Sequence, residues 1–304
     1  MQSQKIHKQY SISGYNYAGS CAYNRNNATY GRIFAMLFLL TLISGCNDEA
    51  VEMKTEKRSG LQDIPETSWQ DLAKKRIFFG HQSVGDNILA GIETLQQKNP
   101  NINLSIIKTR EAIQTNKGWI AHTHIGKNSD PLEKISDFSH IMNNDMGKNT
   151  DIAFMKFCYI DLESWSDPVA LFNAYKASMV QLENTFPEVV FVHITAPLTS
   201  KQTGIKAFIK TLLGRDLRGV KDNLVRAKYN SLLLQEYADK APVFDLSRVE
   251  ATRPDGSLSQ IEFNAKTALS MAPEYTDDGG HLNSAGRSVV AENLLVFLAG
   301  IKSK

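Results

Sequence analysis

From residue 76 to residue 301, short apolar runs alternate with longer amphipathic segments, and this alternation limits the possible folds more than any other feature. "RIFFG" (76–80), "INLSIIKT" (102–109), "DIAFMKFCYI" (151–160), "EVVFVHITAP" (188–197) and "PVFDLS" (242–247) have the length and residue types of strands. The third run is apolar throughout, as expected for a central parallel strand covered on both faces. Between the runs, "VGDNILAGIETLQQK" places Ile88, Leu89, Ile92 and Leu95 at helical spacing. Residues 167–186, 223–240 and 284–301 also read as helices, the last with Ser284 as its N-cap. "SKQTGIKAFIKTLLGRDLRGVKD" (200–222) is basic and glycine-punctuated, and reads as a loop with a helical turn. The pattern predicts a single three-layer α/β/α domain with a mostly parallel sheet. Such sheets bind ligands beyond the carboxyl ends of their strands. Attention therefore falls on His81, Gln82 and Ser83, on Tyr159 and Asp161, and on Thr195, Pro197 and Thr199.

The 304 residues can bury one large core, and 42% apolar with 22% charged residues is an ordinary globular balance. The net charge of +2 conceals an asymmetry: residues 1–45 carry +4, from Lys5, Lys8, Arg25 and Arg32, and the rest is at −2. A faintly acidic body has no electrostatic footprint for nucleic acid, so none is expected as a partner.

"RIFAMLFLLTLISGC" reads as a targeting segment, with Arg32 ahead of an apolar run too short to span a bilayer comfortably. Its ending, "LISGC", resembles a bacterial lipobox, which implies lipid on Cys46. The reading is then a signal peptide over 1–45, a flexible tether over 46–68 and a folded domain over 69–304. A lipid-anchored location in the bacterial cell envelope follows. Cys158, the thiol left after processing, lies in an apolar stretch and is expected to be buried and inert.

Chemistry is concentrated at two points. "YTDDGGHLNSAG" (275–286) sets Asp278 three residues before His281, with two glycines that let the backbone turn sharply between them. A carboxylate can orient an imidazole for proton transfer, although by itself such a turn can equally be a capping hydrogen bond. "RIFFGHQSVGDN" (76–87) puts Ser83 at a strand-to-helix turn, where a helix N-terminus faces a cleft. A serine at the first strand and an Asp-x-x-His before the last helix resemble the arrangement of the SGNH (GDSL-like) hydrolases, from about Arg76 to Ile301. The tail "DGGHLNSAGRSVVAENLLVFL" and the segment "RAKYNSLLLQEYADKAPVFDL" carry the likeness furthest. An α/β-hydrolase elbow is the near competitor for "HQSVG", but that fold separates its acid and histidine widely.

The resemblance implies a flavodoxin-like SGNH fold with Ser83 as nucleophile, His281 as general base and then acid, and Asp278 as the orienting carboxylate. Two departures stand out. His81 and Gln82 separate Gly80 from Ser83, and "CYIDL" replaces the family's Gly-x-Asn-Asp block. "HTHIGKNSDP" (122–131) can supply substitutes. The implied oxyanion hole combines the amides of Ser83 and Gly126 with a side-chain donor from Asn128 or Gln82. His81 either shapes the site or packs on the sheet, and Tyr159 and Asp161 either line the site or cap the next helix. His122 and His124 share one face of a strand, but no third metal ligand is evident in the sequence, so neither a metal nor a cofactor is expected. The expected activity is that of a lipid-anchored serine esterase or acylhydrolase. Its partner would be a small-molecule or polysaccharide ester, with acyl or acetyl groups on a carbohydrate or lipid. The alternative is an inactive glycan- or acyl-binding lipoprotein on the same scaffold.

Overall fold

The computed structural model describes residues 60–302 other than Asn116, Arg215, Asp216 and Arg218. The segment expected to be a signal peptide, Cys46 and most of the expected tether lie outside the described residues. Helix α1 (Glu66–Leu72) begins three residues ahead of Trp69. It is followed by β1 (Arg76–His81), α2 (Ser83–Lys98), β2 (Ile106–Lys108), β3 (Trp119–His124) and α3 (Pro131–Ile141). Next come β4 (Ile152–Met155), α4 (Pro168–Thr185), β5 (Val190–Ile194), α5 (Ile205–Leu212) and α6 (Lys221–Tyr237). The chain ends with β6 (Val243–Phe244), α7 (Leu246–Ala251), the hairpin β7 (Gln260–Phe263) and β8 (Lys266–Leu269), and α8 (Ser284–Gly300).

Strands β1 to β6 form one parallel sheet in the order β2-β3-β1-β4-β5-β6, and the hairpin pairs separately. Alternating side chains supply a core on each face. Ile77 and Phe79 pack with Ile88 of α2 and Leu295 of α8, whereas Phe78 packs with Phe138 of α3 and Tyr229 of α6. Each such side chain stabilises the fold by about 1.5–3 kcal/mol on burial. Apart from the short edge strand β2, the order is that of flavodoxin-like sheets, with the chain winding away in opposite directions after β1 and after β4. The crevice between their carboxyl ends is therefore where a site forms.

Several local expectations needed revision. β2 is limited to three residues because an edge strand has one neighbour, and its ladder to β3 covers only 106–108. β4 stops at Met155, after which Lys156 N still reaches Gly80 O and the chain turns through Tyr159–Asp161. Helix α3 was not anticipated; Asp130 caps it by accepting from Glu133 N at 3.0 Å, and Pro131 sits in its first turn. The cap of α8 is Asn283, whose side chain accepts from Gly286 N at 3.0 Å, so Ser284 is the first helical residue.

Beneath the crevice, Glu250 of α7 is fully buried and accepts from Leu198 N at 2.6 Å. Burial drives its pKa from 4.5 up to about 8, outweighing that amide and the cations of Lys156 and Arg226. The unfolded chain releases this proton near 4.5 and the folded chain near 8, so stability falls as pH rises between those values. Glu250→Gln is expected to remove that slope. Urea unfolding should find the variant roughly 2 kcal/mol more stable than the parent at the alkaline end, with the gap closing toward the acid end. A gap independent of pH would contradict the assignment.

Candidate active site

At the end of β1, Gln82 adopts extended backbone and acts as the N-cap position of α2, leaving Ser83 as the first helical residue. Amides in this first turn have no i−4 carbonyl and point their positive ends at the crevice. The spelling "HQSVG" has a packing cause. His81 is completely buried, and a Cβ on Gly85 would lie 2.2–2.4 Å from atoms of its side chain. Only glycine one turn into the helix lets the imidazole lie there.

The acid–histidine loop approaches from the far end of the chain. Gly279 has φ +90°, and a Cβ on Gly280 would lie 2.6 Å from the Tyr159 ring, so both glycines are required. Asp278 Oδ1 accepts from the amides of Gly280 and His281, each at 2.8 Å, and Oδ2 accepts from His281 Nδ1 at 2.7 Å. That last bond places the imidazole proton on Nδ1 and leaves Nε2 as an acceptor, 3.0 Å from Ser83 Oγ. Partial burial pushes the Asp278 pKa up, but the His281 and Gly280 amides and the His281 ring together hold it well below the usual carboxylate range. Two ties hold the loop: Leu282 N donates to Asn87 Oδ1 at 3.1 Å, and Ser200 N to Gly279 O at 2.9 Å. Asn87 escaped sequence reasoning because nothing in α2 marks it as reaching a loop almost two hundred residues away. The His281 and Asp278 side chains remain 40% and 56% exposed, so the site opens directly to solvent.

The donors expected to face a substrate oxygen are rearranged. The Gly126 amide donates to Asp137 Oδ2 at 2.8 Å and is not available. Gln82 is excluded for a similar reason, because its Nε2 donates to Ile125 O and Gly126 O, both at 2.9 Å. It ties the Ser83 turn to the loop following β3. Asn128, in that loop, is exposed; its Oδ1 accepts from Lys134 Nζ at 3.0 Å, and its Nδ2 has no acceptor among the described residues. Lys134 also pairs with Asp161 at 2.6 Å, both side chains wholly buried. Asp161 further accepts from Ser129 N at 2.9 Å and Cys158 N at 2.7 Å. It is therefore a buried support for the Asn128 loop and not a lining residue. Tyr159 does face the histidine, ring edge to ring at 5.6 Å, while its carbonyl is clamped by the Arg226 guanidinium. Thr195 and Thr199 are buried and bonded to Asp245 and Arg226, and so belong to the scaffold. Cys158 is buried, as its surroundings predict.

A second polar cluster adjoins Ser83. His81 does not line the crevice; its Nδ1 donates to Gln82 O at 2.8 Å and its Nε2 lies 2.9 Å from His122 Nδ1. His124 Nε2 pairs with Asp86 Oδ2 at 2.7 Å, and Asp86 Oδ1 is 3.9 Å from His81 Nδ1. The third and fourth members, missing from the sequence reading of His122 and His124, thus come from the end of β1 and the first turn of α2.

No protein-family model matches the sequence, and no curated protein matches it. Solved structures resemble it in chain path. A peptidoglycan O-acetylesterase is 9% identical with a TM-score of 0.48, over 77% of this chain and 93% of that one. A carbohydrate esterase family 3 protein from Talaromyces cellulolyticus is 12% identical with a TM-score of 0.42, over 75% and 98%. A psychrotrophic esterase from Pseudoalteromonas sp. is 6% identical with a TM-score of 0.42, over 74% and 96%.

Proposed function

We propose that the chain is a serine esterase that cleaves an acyl or acetyl ester, with Ser83 as nucleophile, His281 as general base and acid, and Asp278 as its orienting partner. The observation that carries this reading is the continuous relay from Asp278 Oδ2 to His281 Nδ1 at 2.7 Å and from His281 Nε2 to Ser83 Oγ at 3.0 Å. As Oγ bonds to the ester carbon, its proton passes to Nε2. The carbon–oxygen bond to the alcohol then breaks, and Nε2 returns the proton to the departing oxygen. Water repeats the cycle on the acyl-enzyme and frees the acid. The Ser83 amide and Asn128 Nδ2 are the donors assigned to the carbonyl oxygen, with Lys134 holding Asn128 in the orientation that presents its NH2. The exposed histidine and aspartate suit an ester projecting from a larger molecule, such as an acylated carbohydrate or lipid.

One observation favours the rival reading. A Gly126 amide already bound to Asp137 leaves fewer oxyanion donors, as in a catalytically silent glycan- or acyl-binding protein. The full chain is expected to give a burst of p-nitrophenolate from p-nitrophenyl acetate, close to one equivalent, followed by turnover. Absence of both burst and turnover would overturn the esterase in favour of the binding protein.

We also propose a lipid anchor on Cys46 that holds the body at a bacterial envelope membrane. Supporting this, Ile205, Ile209, Leu212 and Leu213 are exposed along α5 and its end. Residues 200–214 contain Lys201, Lys206 and Lys210 and no acidic residue, a composition suited to an anionic leaflet. Cys46→Ser should move the protein from the membrane to the soluble fraction, and unchanged fractionation would refute the anchor.

A further inference from the structure

We propose that His81, His122, His124 and Asp86 form a binding site for a divalent transition-metal ion of the zinc class, beside Ser83 and separate from its relay with His281. The inference does not depend on the esterase reading.

The backbone converges the four side chains. β1 and β3 run parallel with Phe79 opposite His122 and His81 opposite His124. Side chains two residues apart share a face of a sheet, so all three imidazoles lie on the side covered by α2. Asp86, in the first turn of that helix, comes down onto them. Three of the seven histidines in the chain meet at this one place.

The spacing fits an ion. One ligand atom each from His81, Asp86 and His122 lies within 4.8 Å of the others. His81 Nε2 stands 2.9 Å from His122 Nδ1, His124 Nε2 stands 2.7 Å from Asp86 Oδ2, and the other Asp86 oxygen lies 3.9 Å from the Nδ1 side of the His81 ring. Donors bonded to zinc at about 2.0–2.2 Å stand roughly 3.3 Å apart, inside the 4.8 Å that bounds the ligand atoms of His81, Asp86 and His122, and His124 adjoins this set through Asp86. Small side-chain rotations suffice to admit the ion.

The donors are also prepared chemically. His81 donates its Nδ1 proton to Gln82 O, which leaves the Nε2 lone pair facing His122, and a carbonyl acceptor behind the ring is the usual support of a metal-bound histidine. Nitrogen and carboxylate donors without sulfur suit Zn²⁺, Co²⁺ or Ni²⁺ rather than Ca²⁺ or Mg²⁺. Bound there, the ion would join the carboxyl ends of β1 and β3 to the helix turn that presents Ser83.

The test uses the full chain without a histidine tag, stripped by chelator and titrated with ZnCl2 by calorimetry. One equivalent is expected to bind, and the Tm should rise with zinc concentration. The His122→Ala/His124→Ala double variant and Asp86→Asn should each weaken binding by about 100-fold or more. Ser83→Ala should bind as tightly as the parent. Should the ligand variants fail to fold, Co²⁺ added to the stripped parent decides the matter. Intense visible absorption from a four-coordinate ion supports the site, and the weak spectrum of hydrated cobalt overturns it. Zinc binding that is absent, or equal in parent and folded ligand variants, also overturns it.

Discussion

Ser83→Ala is expected to lower kcat for ester hydrolysis by about 10⁴- to 10⁶-fold and to leave the fold intact. Without the hydroxyl, His281 Nε2 has no proton to withdraw and no bond to the ester carbon can form. Only the electrostatic help of the remaining donors persists, which accounts for the residual rate. The stability half of the expectation follows from position. The N-cap of α2 is Gln82, and Ser83 is a first-turn residue whose Oγ contacts His281 rather than a backbone amide. Alanine suits such a position, so the Tm should change by no more than a degree or two. Steady-state kinetics and a thermal melt check both halves. A variant retaining a tenth of the parent rate would remove Ser83 from the chemistry.

Asp278→Asn should cost about 10⁴-fold in kcat with little change in KM. The amide oxygen can still accept from the Gly280 and His281 amides, as Oδ1 of the aspartate does now, so the loop keeps its shape. The amide nitrogen then faces His281 Nδ1 and can only donate. It forces the ring proton onto Nε2, which turns a hydrogen toward Ser83 Oγ and removes the base. A loss smaller than tenfold would show that Asp278 caps the loop without orienting the ring.

Much of this was legible in the residues, and the gaps have physical causes. Runs such as "EVVFVHIT" and the helical stripe of α2 report their burial through periodicity, so the three-layer parallel architecture could be read directly. β3 was harder to see as a strand, because "WIAHTH" mixes apolar residues with the histidines of a polar cluster. The relay joining residues 83 and 281 could be proposed only from the order of two motifs, a serine after the first strand and an Asp-x-x-His before the last helix, because the acid–histidine turn alone can equally be a capping hydrogen bond. What remained hidden depends on contacts between distant segments. Nothing near Gly126 announces that Asp137, eleven residues on and in the next helix, takes its amide. Asp161 reads as a site-lining or helix-capping acid until Lys134 is seen buried against it. Asp86 similarly reads as a surface helix residue until the register of β1 with β3 gathers three imidazoles beneath it.

The central claim is that Ser83 Oγ is an activated nucleophile open to solvent, and a fluorophosphonate probe tests this without knowledge of the substrate. The full chain should be labelled at one residue, which peptide mass spectrometry should place at Ser83, and the Asp278→Asn variant should react far more slowly. An unlabelled parent, or a label carried by any other residue, would contradict the account.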